Sequence, residues 1–374
     1  MFLALRELRF ARSRFTLMGS VVALIAVLMV LLSGLSSGLV NDGVSGLQRL
    51  PVTAFAFDAG TKLDSAFSRS VVDADQVARW REQPGVQDAA PFGTMLVNTR
   101  SNRGVPIDLA LFGVEPGSFL TPTAAEGSGL GAPDGLVVSR TALDAGLRIG
   151  DVLTVDRIGT RLTVVGVTAD QHTFGHVDVA YLPLAAWRRL HAGVGPGEEL
   201  RTQQADQATA VAIRGDGTID LAAGDAAAGT SAVTKETSYG ASPGYTAETS
   251  TLTLIQVFLY AISALVVGAF FTVWTINRRH ELAVLRAMGA ARRYLLRDGL
   301  VQALVILTAS IAVGVAGGAG FGGLMGGTGV PFALEAPAVT FASLLLVLLG
   351  LFGAATAIVR VAAIDPLAAL GGQR

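Results

Sequence analysis

The sequence contains no cysteine. Disulfides, thiolate metal sites and cysteine nucleophiles are therefore excluded, and the redox compartment leaves no trace in the chain. Charge is scarce. Asp, Glu, Lys and Arg make up 15% of 374 residues, where a soluble enzyme carries about a quarter. The balance is nearly neutral, at −1, so nothing in the overall charge points to nucleic acid. Lysine is almost missing. Lys62 and Lys235 are the only two, in "AGTKLD" and "AVTKET". Neither follows the glycine-rich turn that cradles nucleotide phosphates, so this chain is not itself an ATPase. What is abundant is apolar surface: 51% of residues, with a mean hydropathy of +0.54. It is concentrated in runs, which reads as a membrane protein.

A hydrocarbon core of about 30 Å needs about 20 apolar helical residues. Four segments meet that need: 16–40, 251–276, 299–324 and 338–360. Arginine sets their direction, because cationic loops stay on the cytoplasmic side. Arg6, Arg9, Arg12 and Arg14 precede the first span, and six arginines lie between the second and third. The 325–337 connection has no Lys or Arg. Both termini are expected in the cytoplasm of a cell-membrane protein, with 41–250 and the 325–337 loop outside. A cleaved signal peptide is the rival reading of the N-terminus, but the apolar run exceeds an h-region of about 7–15 residues. Residues 1–15 read as an amphipathic helix on the inner membrane surface, or as a plain cationic flank. The third span carries Gly314, Gly317, Gly318, Gly320, Gly322 and Gly323, which permit close backbone approach.

Between the second and third spans lies "INRRHELAVLRAMGAARRYLLRDGL". Residues 277–298 read as a short helix in which Leu282, Leu285, Met288 and Ala291 recur at about i+3. Such a helix either docks a cytoplasmic partner and passes force into both spans, or is only a topogenic arginine loop. The stretch from Arg278 to Gly289 resembles the coupling segment of the MacB-type (FtsX-like, type VII) ABC transporter permeases, R-R-x-E-[ILF]-[AG]-[VIL]-L-[RK]-A-[MIL]-G. The ending Asp365-Pro366-Leu367 with Ala369 and Leu370 is similar to that family's closing motif. The resemblance implies a homodimeric permease, with ATP and magnesium held by a separate ABC ATPase subunit and no cofactor bound by this chain. It also implies that Arg278, Arg279, Glu281, Leu282, Leu285, Arg286, Met288 and Gly289 couple to that ATPase.

The outside region reads as an α+β domain. "SVVDADQVARWREQPG" is a helix capped by Asp73 or Asp75 and stopped at Pro84-Gly85. "PIDLALFGVEP" and "TAVAIRG" are strands, "AYLPLAAWRRLH" is a helix, and 135–170 alternates short β-branched runs with turns. The family resemblance implies an α/β part, 41–115 with 206–250, carrying a β-rich insertion over 116–205. Residues 217–248 are small and polar, and are expected to hold a short helix followed by a linker. Ser139, Asp170 and His172 can be drawn as a triad, but no nucleophile elbow surrounds Ser139. His172 and His176 would form a metal pair on a helix; Gly175 and the flanking strands argue for a loop instead.

The rim next to the membrane offers Arg49, after the first span, and Tyr239 and Tyr245, before the second. Interfacial anchoring accounts for the tyrosines without further function. A polar and aromatic gate for an amphiphile in the outer leaflet is the functional alternative, with Tyr181 reaching in from the outside domain. "LALRELRFARSRF" followed by "GLSSGL" resembles the short four-span branch of haem exporters (HrtB-like) and DevC-like exporters. That resemblance implies efflux of an amphiphilic cargo from membrane lipid, haem foremost. A non-transporting regulatory platform, or export of lipoproteins, drugs or peptides, is the alternative role.

Overall fold

The computed structural model describes residues 12–277, 284, 288, 291–325 and 330–362. The inner-surface segment over 1–11 and the Asp365 to Leu370 motif lie outside the described residues. So do Arg278, Arg279, Glu281, Leu282, Leu285, Arg286 and Gly289. Met288 is described, in a turn and largely exposed. Labelled helices are α1 (Arg12–Gln48), α2 (Ala74–Arg81), α3 (Leu184–His191), α4 (Leu221–Ala228), α5 (Tyr245–Asn277), α6 (Arg292–Met325) and α7 (Ala336–Ala362). The chain forms two compact units, one of 1–38 with 249–374 and one of 39–248.

In the first unit, α1, α5, α6 and α7 are each long and apolar enough to cross a bilayer. Lipid offers no partner to a bare peptide group, so each span satisfies its own backbone as helix. Threonine hydroxyls follow the same rule: Thr272 donates to the Gly268 carbonyl (2.8 Å) and Thr275 to that of Phe271 (2.6 Å). Close contacts between spans fall at glycine. A Cβ on Gly314 would lie 2.5 Å from the Ala23 carbonyl oxygen, and one on Gly318 2.8 Å from Val30 Cβ, so α6 packs on α1. Gly353 of α7 meets the Ala264 carbonyl of α5 in the same way, at 2.6 Å. Gly350 sits on Leu307, and Phe15 of α1 packs edge-on to Trp274 of α5 at 4.6 Å.

The second unit holds an 11-stranded sheet. Its strands are β1 (Ala54–Asp58), β2 (Val86–Ser101), β3 (Pro106–Val114), β4 (Glu126–Gly127), β5 (Gly135–Val138), β6 (Val152–Val155), β7 (Arg161–Val167), β8 (Thr173–Phe174), β9 (Val177–Pro183), β10 (Ala210–Gly215) and β11 (Thr230–Thr234). The order is β11-β1-β10-β2-β3-β9-β5-β7-β4, with β8 on β9. Strand β2 belongs to both halves. Its residues 86–92 pair with β10, and 93–100 pair with β3. Because β6 pairs with both β2 and β7, the path β2-β3-β9-β5-β7-β6 closes into a six-stranded barrel.

Alternation along the strands fills that barrel. Leu109, Leu111, Leu136, Val138, Leu153 and Leu162 are among its buried lining. The barrel is wider than the expected insertion over 116–205, since β2 and β3 precede that segment. Without them the inserted strands would present open edges. The opposite face of β2 and β3 joins a separate core of edge-on aromatics, Phe55, Phe67, Phe92, Phe112 and Phe174. Helix α2 starts at Asp73, whose side chain accepts from the Gln76 N–H, while the Gln76 side chain accepts from the Asp73 N–H. It buries Trp80 against Gly224 of α4. The expected linker before the second span contains a strand, β11, paired along all five of its residues with β1.

Candidate functional site

Three segments of the second unit meet around one hairpin. Strands β8 and β9 are joined by two residues, Gly175 and His176, both left-handed (φ 59° and 64°). That is the backbone of a type I′ turn, whose twist matches paired strands. The hairpin lies against the last turns of α1. The Gly175 N–H donates to the Gly43 carbonyl (2.9 Å), and the Thr173 N–H to Ser45 Oγ (2.9 Å). Thr173 Oγ1 donates to the Asn41 carbonyl (3.2 Å). Small residues make the approach feasible: a Cβ on Gly46 would lie 2.8 Å from Val179.

At the hairpin tip the His176 ring lies between two carboxylates from different helices. Nδ1 is 3.0 Å from Asp42 of α1, and Nε2 is 3.0 Å from Glu248 in the first turn of α5. Partial burial pulls its pKa down, but the hydrogen bond to Asp42 and the charge of Glu248 prevail, and the net direction is up. His172 behaves oppositely. Burial first, then the Arg49 charge, lower it to about 4, and its Nδ1 bonds the Tyr181 hydroxyl at 2.7 Å. The two imidazoles are thus committed to different partners and do not form a metal pair. Among the described residues no cluster of His, Cys, Asp or Glu is arranged to hold a metal ion.

The drawn triad does not form either. Ser139 Oγ accepts from the backbone N–H of His172 (2.9 Å) and bonds the Thr141 hydroxyl (2.8 Å), while Asp170 pairs with Arg49 at 3.8 Å.

The expected gate residues separate into three environments. Tyr239 and Tyr245 pair with each other, ring centroids 6.3 Å apart, and Tyr245 also faces α1 at Gly43. Arg49, after the end of α1, is partly exposed and faces Asp170. Tyr181 is a correction to the sequence reading. It lies mid-strand on β9, opposite Phe112 on one side and Val137 on the other, and only 1% of its surface is exposed. Its hydroxyl is directed to His172, not to a ligand at the domain surface. The sequence reading took 180–191 as helix, whereas helix begins only at Leu184.

Two residues of this region escaped the sequence reading. His176 was read as part of a surface turn, and Lys235 was considered only as a phosphate ligand. The Lys235 ammonium donates to the carbonyls of Gln48 (2.6 Å) and Leu50 (2.8 Å), closing the C-terminus of α1. A cation there also meets the negative end of the helix dipole. Burial lowers its pKa. A separate cleft of about 730 Å³ lies between α3 and the barrel, lined by Glu115, Asp134, Arg161, Leu184, Arg188 and Arg189 among others. It shares no residue with the α1, α5 and hairpin cluster.

Four membrane-length helices and a large mixed-sheet domain define a membrane protein with an extracellular α/β domain. A family model described as the MacB-like periplasmic core domain matches residues 15–229, and one described as the FtsX-like permease C-terminal matches 253–366. The first alone spans more than half of the sequence. The chain belongs to the MacB/FtsX-like family of ABC transporter permeases. It is 23% identical over 378 residues to a protein of Staphylococcus haemolyticus (strain JCSC1435) named as a putative hemin transport system permease protein HrtB, covering 99% of each chain. It is 24% identical over 382 residues to an ABC transporter permease of Mycobacterium tuberculosis (strain ATCC 25618 / H37Rv), covering 100% of this chain and 99% of that one. Among solved structures, it is similar to the periplasmic region of MacB from Actinobacillus actinomycetemcomitans. The identity is 11% and the TM-score 0.36, over 50% of this chain and 91% of that one. The extracellular domain of the transporter YknZ matches at 12% identity and a TM-score of 0.33, over 47% and 89%.

Proposed function

We propose that the chain is the permease half of an exporter that removes an amphiphilic molecule, haem foremost, from the outer leaflet. A separate ABC ATPase holds ATP and magnesium and drives it mechanically. The observation that carries the mechanical part is the continuity of α1 and α5, unbroken helices of 37 and 33 residues. At 1.5 Å per residue each is about 50 Å or more long, well beyond a hydrocarbon core of about 30 Å. In this reading a displacement at the cytoplasmic end of either helix travels along its length toward the outer leaflet. The segment 277–298 receives that displacement from the ATPase, with Glu281 and Leu282, Leu285 and Met288 as contacts. Arginine counts support the orientation, with both termini in the cytoplasm. A homodimer fits the apolar stretch of α5, only 17% of which is buried within its own chain against 39% for each other span.

Haem rests on the full-length likeness to permeases named for hemin transport and on side-chain chemistry at the α1 and α5 ends. Arg49 pairs a propionate, and the Tyr245 phenol, with Tyr239 beside it, faces the iron. The test is haem titration of wild type, Arg49→Ala and Tyr245→Phe in detergent, with buried Tyr181→Phe as control. Arg49→Ala is expected to lose a charge-assisted bond of about 1.5–3 kcal/mol, roughly tenfold to a hundredfold in affinity. Tyr245→Phe should change the absorption spectrum, and Tyr181→Phe should leave it alone. Wild-type behaviour in both rim variants removes the site; no haem binding by wild type removes the cargo. Glu281→Lys, measured with the ATPase, is expected to lower stimulated ATP turnover in an inserted dimer, and unchanged turnover removes the docking role.

A further inference from the structure

We infer that His176 is a latch that ties the start of α5 to the end of α1, engaged when its imidazole is charged and released when it is neutral. Both ring nitrogens face carboxylates, 3.0 Å from Asp42 and 3.0 Å from Glu248. An ionised carboxylate only accepts hydrogen bonds, and a neutral imidazole has one N–H to give. Only the imidazolium satisfies both contacts. Loss of one proton removes one of the two bonds and the attraction to both acids, and α1 and α5 lose their shared partner.

The backbone points to the side chain as the reason for this residue. Position 176 is the second residue of a type I′ turn, a place glycine fills without strain. Histidine at φ 64° is one of only two described non-glycine residues with positive φ. The hairpin carrying it is pinned to α1 through Gly43, Ser45 and Asn41, so it moves with that helix. The side chain of His176 adds a polar contact to α5 at Glu248, beside the apolar contact of Tyr245 with Gly43. The pinning fixes the hairpin on α1, and the latch adds the charge-dependent tie to the first turn of α5.

Other charged and titratable groups surround the tip. Asp178, across from Thr173 in the hairpin, has its pKa raised by burial, with the Asp42 charge adding to the rise and hydrogen bonds from Thr141 and Ser139 opposing it. Tyr245 lies one turn before Glu248, and Arg49 with Asp170 forms the next ion pair. The carboxylates at the latch outweigh burial and raise His176 above its ordinary value near 6.5. The linkage then has one direction. The latch is fully engaged below the unfolded-state value and is lost as pH rises through the folded-state value.

The inference does not depend on the cargo and is tested without transport. Gln48→Cys and Ala247→Cys, in a chain with no native cysteine, take spin labels at the ends of α1 and α5. Full-length labelled chain is diluted with unlabelled chain in nanodiscs, so that intrachain distances are read. In parallel, histidine labelled with nitrogen-15 follows the four imidazoles of the chain. A narrow distance distribution is expected at pH 5.5 and a broader or longer one at pH 9. Its midpoint should coincide with the His176 titration, above its ordinary value. Asp42→Asn and Glu248→Gln should each lower that midpoint. His176→Gln should give the broad distribution at both pH values, and His176→Arg, permanently charged, the narrow one at both. A wild-type distribution that does not change with pH overturns the latch. So does a His176 that titrates at or below its ordinary value, or a His176→Gln variant that matches wild type at pH 5.5.

Discussion

Some of the close glycine contacts differ between the two units in what they admit. In the outside domain three glycines clear space for a tryptophan ring. Gly93 and Gly113 sit opposite each other on β2 and β3 and form a flat floor under Trp187, and Gly224 does the same for Trp80. In the bundle Gly314 and Gly353 clear space for a neighbouring backbone, the Ala23 and Ala264 carbonyls, while Gly34 and Gly322 receive the Phe332 ring. Solvent sets the driving force at the tryptophan floors and at the backbone contacts. In water, burying a large ring is itself the driving force, and glycine lets it lie flat. In lipid, apolar side chains gain little by leaving the tails, so helices associate through close backbone packing.

The largest effect is expected from a bulky residue at a bundle contact. Gly314→Leu or Gly353→Leu places a side chain on a carbonyl oxygen of the facing helix. The expected result is loss of the folded bundle, seen as aggregation on size-exclusion chromatography in detergent. A smaller effect is expected at the aromatic floor. Gly93→Ala or Gly113→Ala pushes Trp187 off the sheet at a cost of about 1–3 kcal/mol, read from Trp187 fluorescence during denaturant unfolding. The smallest effect is expected within one helix. Gly320 and Gly323 share the glycine run of α6, but a Cβ on either meets nothing within 4 Å. Gly320→Ala and Gly323→Ala should leave thermal stability unchanged or raise it by up to about 1 kcal/mol through helix propensity. A large loss at Gly320 would show that another surface covers this face.

The same glycine run marks the limit of the sequence reading. Six glycines announce close packing, but period alone does not say which of them face a neighbour. The structure selects Gly314, Gly318 and Gly322, one turn apart, and directs them to α1 and to Phe332. Local signals were more legible. The start of α2 was legible to within Asp73 or Asp75 because capping is local, and short apolar runs marked β3 and β10. The arrangement around His176 was not legible. Asp42, His176 and Glu248 are far apart in sequence, and only the fold joins them. Strand β11 was missed for a related reason. "TSAVT" is short and polar, and becomes a strand through pairing with β1, about 175 residues upstream. Tyr181 was misplaced because its burial depends on both neighbouring strands.

The pairing of β1 with β10 and β11 also fixes an order of events during synthesis. Residues 54–58 reach the outside early, but their partners at 210–215 and 230–234 follow only after the whole barrel has been made. The barrel too stays open until β9 reaches β3. An early strand therefore waits, unpaired at its edges, through about 150 residues of translocation, a long loop to close and an exposed template for wrong pairing. Residue 234 emerges just before Tyr245 opens α5. The last strand to seal the sheet is thus followed almost at once by the second span, so the domain completes its fold as that helix enters the membrane.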